Sequence, residues 1–196
     1  MNVGIAETAE SFNELLSTNV DAIVIATPAE LHANQAIAAI EHGKAVFVRK
    51  PLGIDLHETQ LVVDVARGNC ILLGVDLPYR LDVVPSSSAS ITLADDALLF
   101  DAVDTALFAL RAPRVLRVSA TRIELAANRF IEISRGDTNE VRLDSRTIAL
   151  EGGADRALHA FMKRLAESRE FDESIESIVD AARVVEEMAE VRSLTS

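Results

Sequence analysis

Short, unbroken apolar runs alternate with helix-length stretches through the first 84 residues of the sequence. Val3-Gly4-Ile5-Ala6 is the first run, and Thr8 to Leu16 follows with Phe12, Leu15 and Leu16 at helical spacing. Asp21 to Ala26 is continuously apolar after its first residue, as a strand buried on both faces must be. Pro28 opens a helical stretch to Glu41, with Gly43 just past its end. Ala45 to Val48 is the next run, Asp55 caps a helix from Leu56 to Ala66, and Ile71 to Val75 closes the series. Strands fully covered and separated by helices require right-handed crossovers, so this part predicts a parallel α/β sheet.

The polar run Pro85-Ser86-Ser87-Ser88 interrupts the pattern, and a domain junction is expected there, dividing residues 1–84 from 85–196. Beyond it Ala97 to Leu110 reads as an apolar helix. Val115–Leu125, Arg129–Ser134, Val141–Leu143 and Thr147–Leu150 have strand character, with turns at Gly136-Asp137 and Asp144-Ser145. Consecutive strands without intervening helices predict an antiparallel sheet in a smaller α+β unit. Two helices, Asp155–Ser168 and Ser174 to about Val191, end the chain.

Charge excludes several partners. The formal net charge is −12, so nucleic acid and anionic membrane surfaces would be repelled. No apolar run approaches the ~20 residues of a membrane span, and the acidic N-terminal segment lacks the basic start of a signal peptide. Cys70 is the single cysteine and reads as a buried thiol in a reducing compartment, which makes the cytoplasm the expected location. His42, His57 and His159 have no partners at ligand spacing, so no metal site is expected. Met162 and Met188 read as core residues, and Asp101 and Asp104, one helical turn apart, as a solvated acidic face.

Chemistry is concentrated in residues 20–51, VDAIVIATPAELHANQAIAAIEHGKAVFVRKP. One strand ends in Ala26-Thr27-Pro28, His32 follows four residues after the proline, and the next strand ends in Arg49-Lys50-Pro51. Ligands of open parallel sheets bind beyond the carboxyl ends of the strands, so both motifs face one crevice. This stretch resembles the glucose–fructose oxidoreductase and inositol dehydrogenase (Gfo/Idh/MocA) family. The continuation to Tyr79-Arg80 and the tail from Ala157 to Met188 are similar to the same family.

The resemblance implies a partial Rossmann-type sheet, a nicotinamide cofactor, NAD or NADP, and a sugar or polyol substrate. It implies that Ala26, Thr27, Pro28, His32 and Lys50 line the cofactor. Lys50 is then the catalytic residue, stabilising an alkoxide or passing a proton. It also implies a homo-oligomer joined through the open face of the second sheet, where apolar strand residues are expected to be left uncovered. Three departures bear on activity. The family's Gly-rich phosphate-binding turn has no counterpart among the eight glycines, so cofactor binding is expected to be weak or lost. Arg49 stands where the family has Glu. Asp101 stands where the family's catalytic helix has a histidine, which raises the alternative of an inactive descendant working as an oligomeric or complex-forming subunit.

Overall fold

The computed structural model describes residues 7–111, 114–144, 146–150 and 154–195. The expected strand at Val3–Ala6 lies outside them. A short helix, α1 (Phe12–Ser17), starts where the Ser11 hydroxyl accepts the Glu14 N–H. Three strands, β1 (Ala22–Ile25), β2 (Ala45–Val48) and β3 (Leu73–Val75), then form a parallel sheet in that order. All four residues of β2 are buried, which is why its sequence is apolar throughout. The crossovers are α2 (His32–Glu41), entered through a 3-10 turn after Pro28, and α3 (Leu56–Gly68). Asp55 caps α3 by accepting the Glu58 N–H at 2.8 Å.

One face of this sheet, with Ile23, Ile25, Val46, Val48 and Val75, packs on α2 and α3. The other face meets α5 (Ala154–Glu167), whose Phe161 ring lies 5.4 Å from that of Phe47. Gly74 permits this approach, because a Cβ there would fall 2.6 Å from Phe161.

The second sheet has six strands: β4 (Ala89–Leu93), β5 (Val115–Val118), β6 (Arg122–Leu125), β7 (Arg129–Arg135), β8 (Glu140–Leu143) and β9 (Arg146–Ala149). Their order is β5-β6-β7-β4-β8-β9. This corrects the expectation of a purely antiparallel sheet, since β4 runs parallel to β7 and antiparallel to β8. The sequence Ala-Ser-Ile-Thr-Leu of β4, directly after the serine run, carries no strand expectation, yet Ala89, Ile91 and Leu93 point into the core. Val115–Leu125 is two strands, folded back where Ser119 N–H donates to Arg122 O at 2.8 Å.

The helices α4 (Leu99–Ala109) and α6 (Ser177–Thr195) cover one face of the second sheet. The opposite face is polar, which corrects the expectation of an apolar one. Arg122 and Glu132 face each other across β6 and β7, Arg142 and Ser90 across β8 and β4, and Arg122 stacks on Phe130. The residues Ile123, Leu125, Ile131, Ile133, Val141 and Leu143 all point to the helices. Along α6, Ile178 and Val179 belong to the first core, while Ala181, Val184 and Met188 belong to the second. The closing helix therefore ties the two sheets together. Two smaller expectations also change: Cys70 is exposed at φ 55°, and Met162 is 50% exposed. Among the described residues no helix is long and apolar enough to cross a membrane.

Candidate active site

The carboxyl ends of β1, β2 and β3 meet the first turn of α4, and the ionisable groups gather there. Ala26, Thr27 and Pro28 follow β1 and are exposed, forming a ledge. The Thr27 hydroxyl donates to Gln35 Oε1 at 2.7 Å, which fixes its direction along α2. His32 lies under this ledge rather than on it. It is 3% exposed, with Nε2 2.7 Å from Thr27 O and Nδ1 2.6 Å from Pro51 O. Its ring thus clamps the end of β1 to the turn after β2 and has no free edge for a ligand.

Lys50 follows β2, with its side chain one-third exposed, beside the cis Lys50–Pro51 bond. Its ammonium donates to both oxygens of Asp101, at 2.6 and 2.5 Å. Asp101 is 3% exposed. Burial pushes its carboxyl above the usual range, Lys50 pulls it back down, and the nearby charges of Asp104 and Asp76 add to the rise. The acid of this helix is therefore no solvated face. Asp104, 2% exposed, is taken by Arg80 in a two-pronged pair, with Nε donating to Oδ2 at 2.7 Å and Nη2 to Oδ1. Arg80 also donates to Ser174 O and stacks on Phe108, so the Asp104 carboxylate is committed to anchoring α4.

Asp76, the residue after β3, went unnoticed in the sequence because no spacing pattern marks it. It is 4% exposed, and its Oδ1 is buried without a hydrogen-bond partner. Its Oδ2 lies 3.7 Å from Arg49 Nε. Burial raises its pKa, Arg49 and Lys50 oppose the rise, and Asp155 at the start of α5 adds to it. The site thus places two cations and two buried carboxyls around one strand-end crevice. Among the described residues no cluster could hold a metal ion.

A cavity of about 700 Å³ lies elsewhere, between α3, the end of α4 and the start of α6. Its arginines are largely committed, Arg67 to Asp64 and Glu176 and Arg183 to Asp180.

Ala26, Thr27 and Pro28 leave an exposed shelf beside a partly exposed ammonium, a surface open to a planar ring. For the pyrophosphate, the 196 residues offer no Gly-x-Gly-x-x-Gly turn.

Residues 2–77 match the family model described as an oxidoreductase family with an NAD-binding Rossmann fold. Over 78 residues, 39% of this chain, the sequence is 38% identical to 1,5-anhydro-D-fructose reductase from Ensifer adhaerens. Over 81 residues, 41% of this chain, it is 32% identical to scyllo-inositol 2-dehydrogenase (NAD(+)) from Bacillus subtilis. These matches span 23% and 24% of the relatives' own lengths. The fold is similar to that of a dehydrogenase from Chromobacterium violaceum, with TM-score 0.69 and 16% identity over 95% of this chain and 80% of that one. It is also similar to KijD10, a 3-ketoreductase from Actinomadura kijaniata in complex with TDP-benzene and NADP, with TM-score 0.60 and 18% identity over 90% and 79% of the two chains.

Proposed function

We propose that this chain, whose residues 2–77 match the Gfo/Idh/MocA oxidoreductase family model, serves an NAD(P)-dependent oxidation or reduction at a sugar or polyol hydroxyl. The observation that carries the reading is the Lys50 ammonium, one-third exposed at the strand-end ledge and held from behind by both oxygens of Asp101. A bound nicotinamide supplies the hydride acceptor or donor. In the reducing direction Lys50 gives a proton to the substrate oxygen as that oxygen gains charge, and Asp101 keeps the lysine aimed at it. In the oxidising direction the steps reverse: once Lys50 has passed a proton to solvent, its amine takes the hydroxyl proton as the hydride leaves, and Asp101 stabilises the ammonium that forms again. Asp101 thus takes the place of the family's histidine as the partner of Lys50. Ala26, Thr27 and Pro28 would hold the nicotinamide and its ribose, with His32 fixing the ledge beneath.

Affinity of the 196-residue chain for the cofactor should be weak. Its sequence supplies no Gly-rich turn to donate backbone N–H groups to the pyrophosphate, and the net charge of −12 repels it. Thermal unfolding with the oxidised and reduced forms of both cofactors tests the reading. Saturation at one hundred times the dissociation constant adds about 2.7 kcal/mol. A shift with at least one form is expected, and a dissociation constant in the low micromolar range or tighter would contradict the weak affinity. No shift with any form sinks the oxidoreductase reading and leaves a subunit acting through association.

The family's association face is here charged rather than apolar. Arg117, Arg122 and Arg142 alternate with Glu124, Glu132 and Glu140, a pattern that a two-fold axis can make complementary to itself. A homo-oligomer built on it should weaken with salt. Light scattering should give at least twice 21.2 kDa at low salt, and a monomer at every salt concentration would exclude it.

A further inference from the structure

Arg49 is the one cation of the crevice that its own fold leaves open. Its backbone N–H closes the strand end by donating to Ile25 O at 2.9 Å. Its side chain is 58% exposed, and the 3.7 Å from Nε to Asp76 Oδ2 is too long for a hydrogen bond. Among the described residues no acceptor takes any N–H of this guanidinium. Behind it, Asp76 Oδ1 is buried without a partner. Arg156 by contrast donates to both oxygens of Asp82 at 2.8 and 2.9 Å, and Arg67 to Glu176 at 2.7 Å. Arg164–Asp172 at 3.7 Å and Arg142–Glu140 at 3.9 Å are also open, but neither carboxylate is buried and neither pair stands at the strand-end crevice. An open guanidinium fork beside a reactive lysine matches the geometry of a carboxylate or phosphate.

We propose that the substrate of this site carries an anionic group, a carboxylate or a phosphate on a sugar or polyol frame, which Arg49 grips while the reacting hydroxyl lies at Lys50. The inference rests on the reading of Lys50 as the proton-transferring residue. Asp76 sets the strength of the grip, because its carboxyl competes with the ligand for Arg49. The groups facing Asp76 are Arg49 and Lys50 from the end of β2, Asp101 from α4 and Asp155 from α5. An arriving anion draws Arg49 outward, away from this buried acid. On a chain of net charge −12, such a patch also selects anions locally that the rest of the surface repels.

Calorimetry on the full 196-residue chain, without nicotinamide cofactor, tests this with D-glucuronate, D-glucose 6-phosphate and D-glucose. At least one of the two anions should bind tenfold or more tightly than glucose, and which one distinguishes carboxylate from phosphate. The preference should vanish in Arg49→Gln, a surface change that leaves the fold intact by circular dichroism. It should grow in Asp76→Asn, which removes the competing carboxyl, and shrink as salt rises. Equal binding of all three probes, no binding of either anion at millimolar concentration, a preference that survives Arg49→Gln, or one lost in Asp76→Asn overturns the proposal. Cofactor stabilisation without an anion preference defeats this inference alone. An anion preference without cofactor stabilisation defeats the oxidoreductase reading instead.

Discussion

Lys50 and Asp101 come from positions 51 residues apart, and each is the other's main electrostatic partner. Removing the carboxylate leaves a part-buried ammonium without its counter-ion. Losing one member of a fully buried pair costs about 3–5 kcal/mol, and the one-third exposure of Lys50 reduces that to roughly 1–2 kcal/mol for Asp101→Asn. Urea unfolding of the two single variants and Lys50→Met/Asp101→Asn measures the coupling, and additive losses would show that the pair is not formed. Asp76 acts in the opposite sense. Its folded pKa is raised, so between the ordinary carboxylate value and the raised one the folded chain holds a proton that the unfolded chain has lost. Stability from this group is full below the ordinary value and declines as pH rises through the raised one. Asp76→Asn should flatten that decline, and an unchanged stability–pH curve would show that the carboxyl is not perturbed. Lys50 was legible in the sequence because strand, motif and spacing coincide around it. Asp76 was not, because the acids it meets, Asp101 on α4 and Asp155 on α5, come from elements that follow it in the chain. The same holds for Asp101 and Asp104, whose spacing reads as a surface stripe until Lys50 and Arg80 are placed against them.

The first sheet's elements were readable because their strands are short apolar runs, of which β2 is buried throughout; β1 departs from the expected two-sided burial, since its Val24 is 49% exposed. The second sheet was less so. Its β4 has only three inward residues, Ala89, Ile91 and Leu93, and its place between β7 and β8 depends on pairings that no local signal records. What holds β4 in position begins just before it. Asp144, at φ 49°, accepts hydrogen bonds from the N–H and hydroxyl groups of both Ser87 and Ser88. These four donors lower the Asp144 pKa to about 2. Because the folded value lies below the unfolded one, this support is complete above the ordinary carboxylate range and is lost as pH falls toward about 2. Asp144→Asn should remove that acid-side loss, and titration of its carboxyl at the ordinary value would contradict the clamp. At β3, Gly74→Ala places a methyl 2.6 Å from Phe161 and 3.0 Å from Phe47. Moving α5 outward to admit it should cost about 1–3 kcal/mol, and a neutral or stabilising effect in urea would show that the interface yields freely.

For the molecule as a whole, the boundary expected near Pro85 separates two sheets but not two packing units, since α6 contributes Ile178 to one core and Met188 to the other. Unfolding followed by Tyr79 fluorescence and by far-ultraviolet circular dichroism should therefore coincide in one transition, whereas two separated transitions would mean independent domains. The central claim is that the strand-end ledge, and not the cavity between α3, α4 and α6, receives the nicotinamide. Backbone amide NMR during titration with NADH and NADPH locates the ligand directly. The account predicts shifts centred on Ala26, Thr27 and Lys50, reduced in Lys50→Met. Shifts confined to Arg67, Arg111 and Arg183 around the cavity, or no shifts at saturating cofactor, would contradict it.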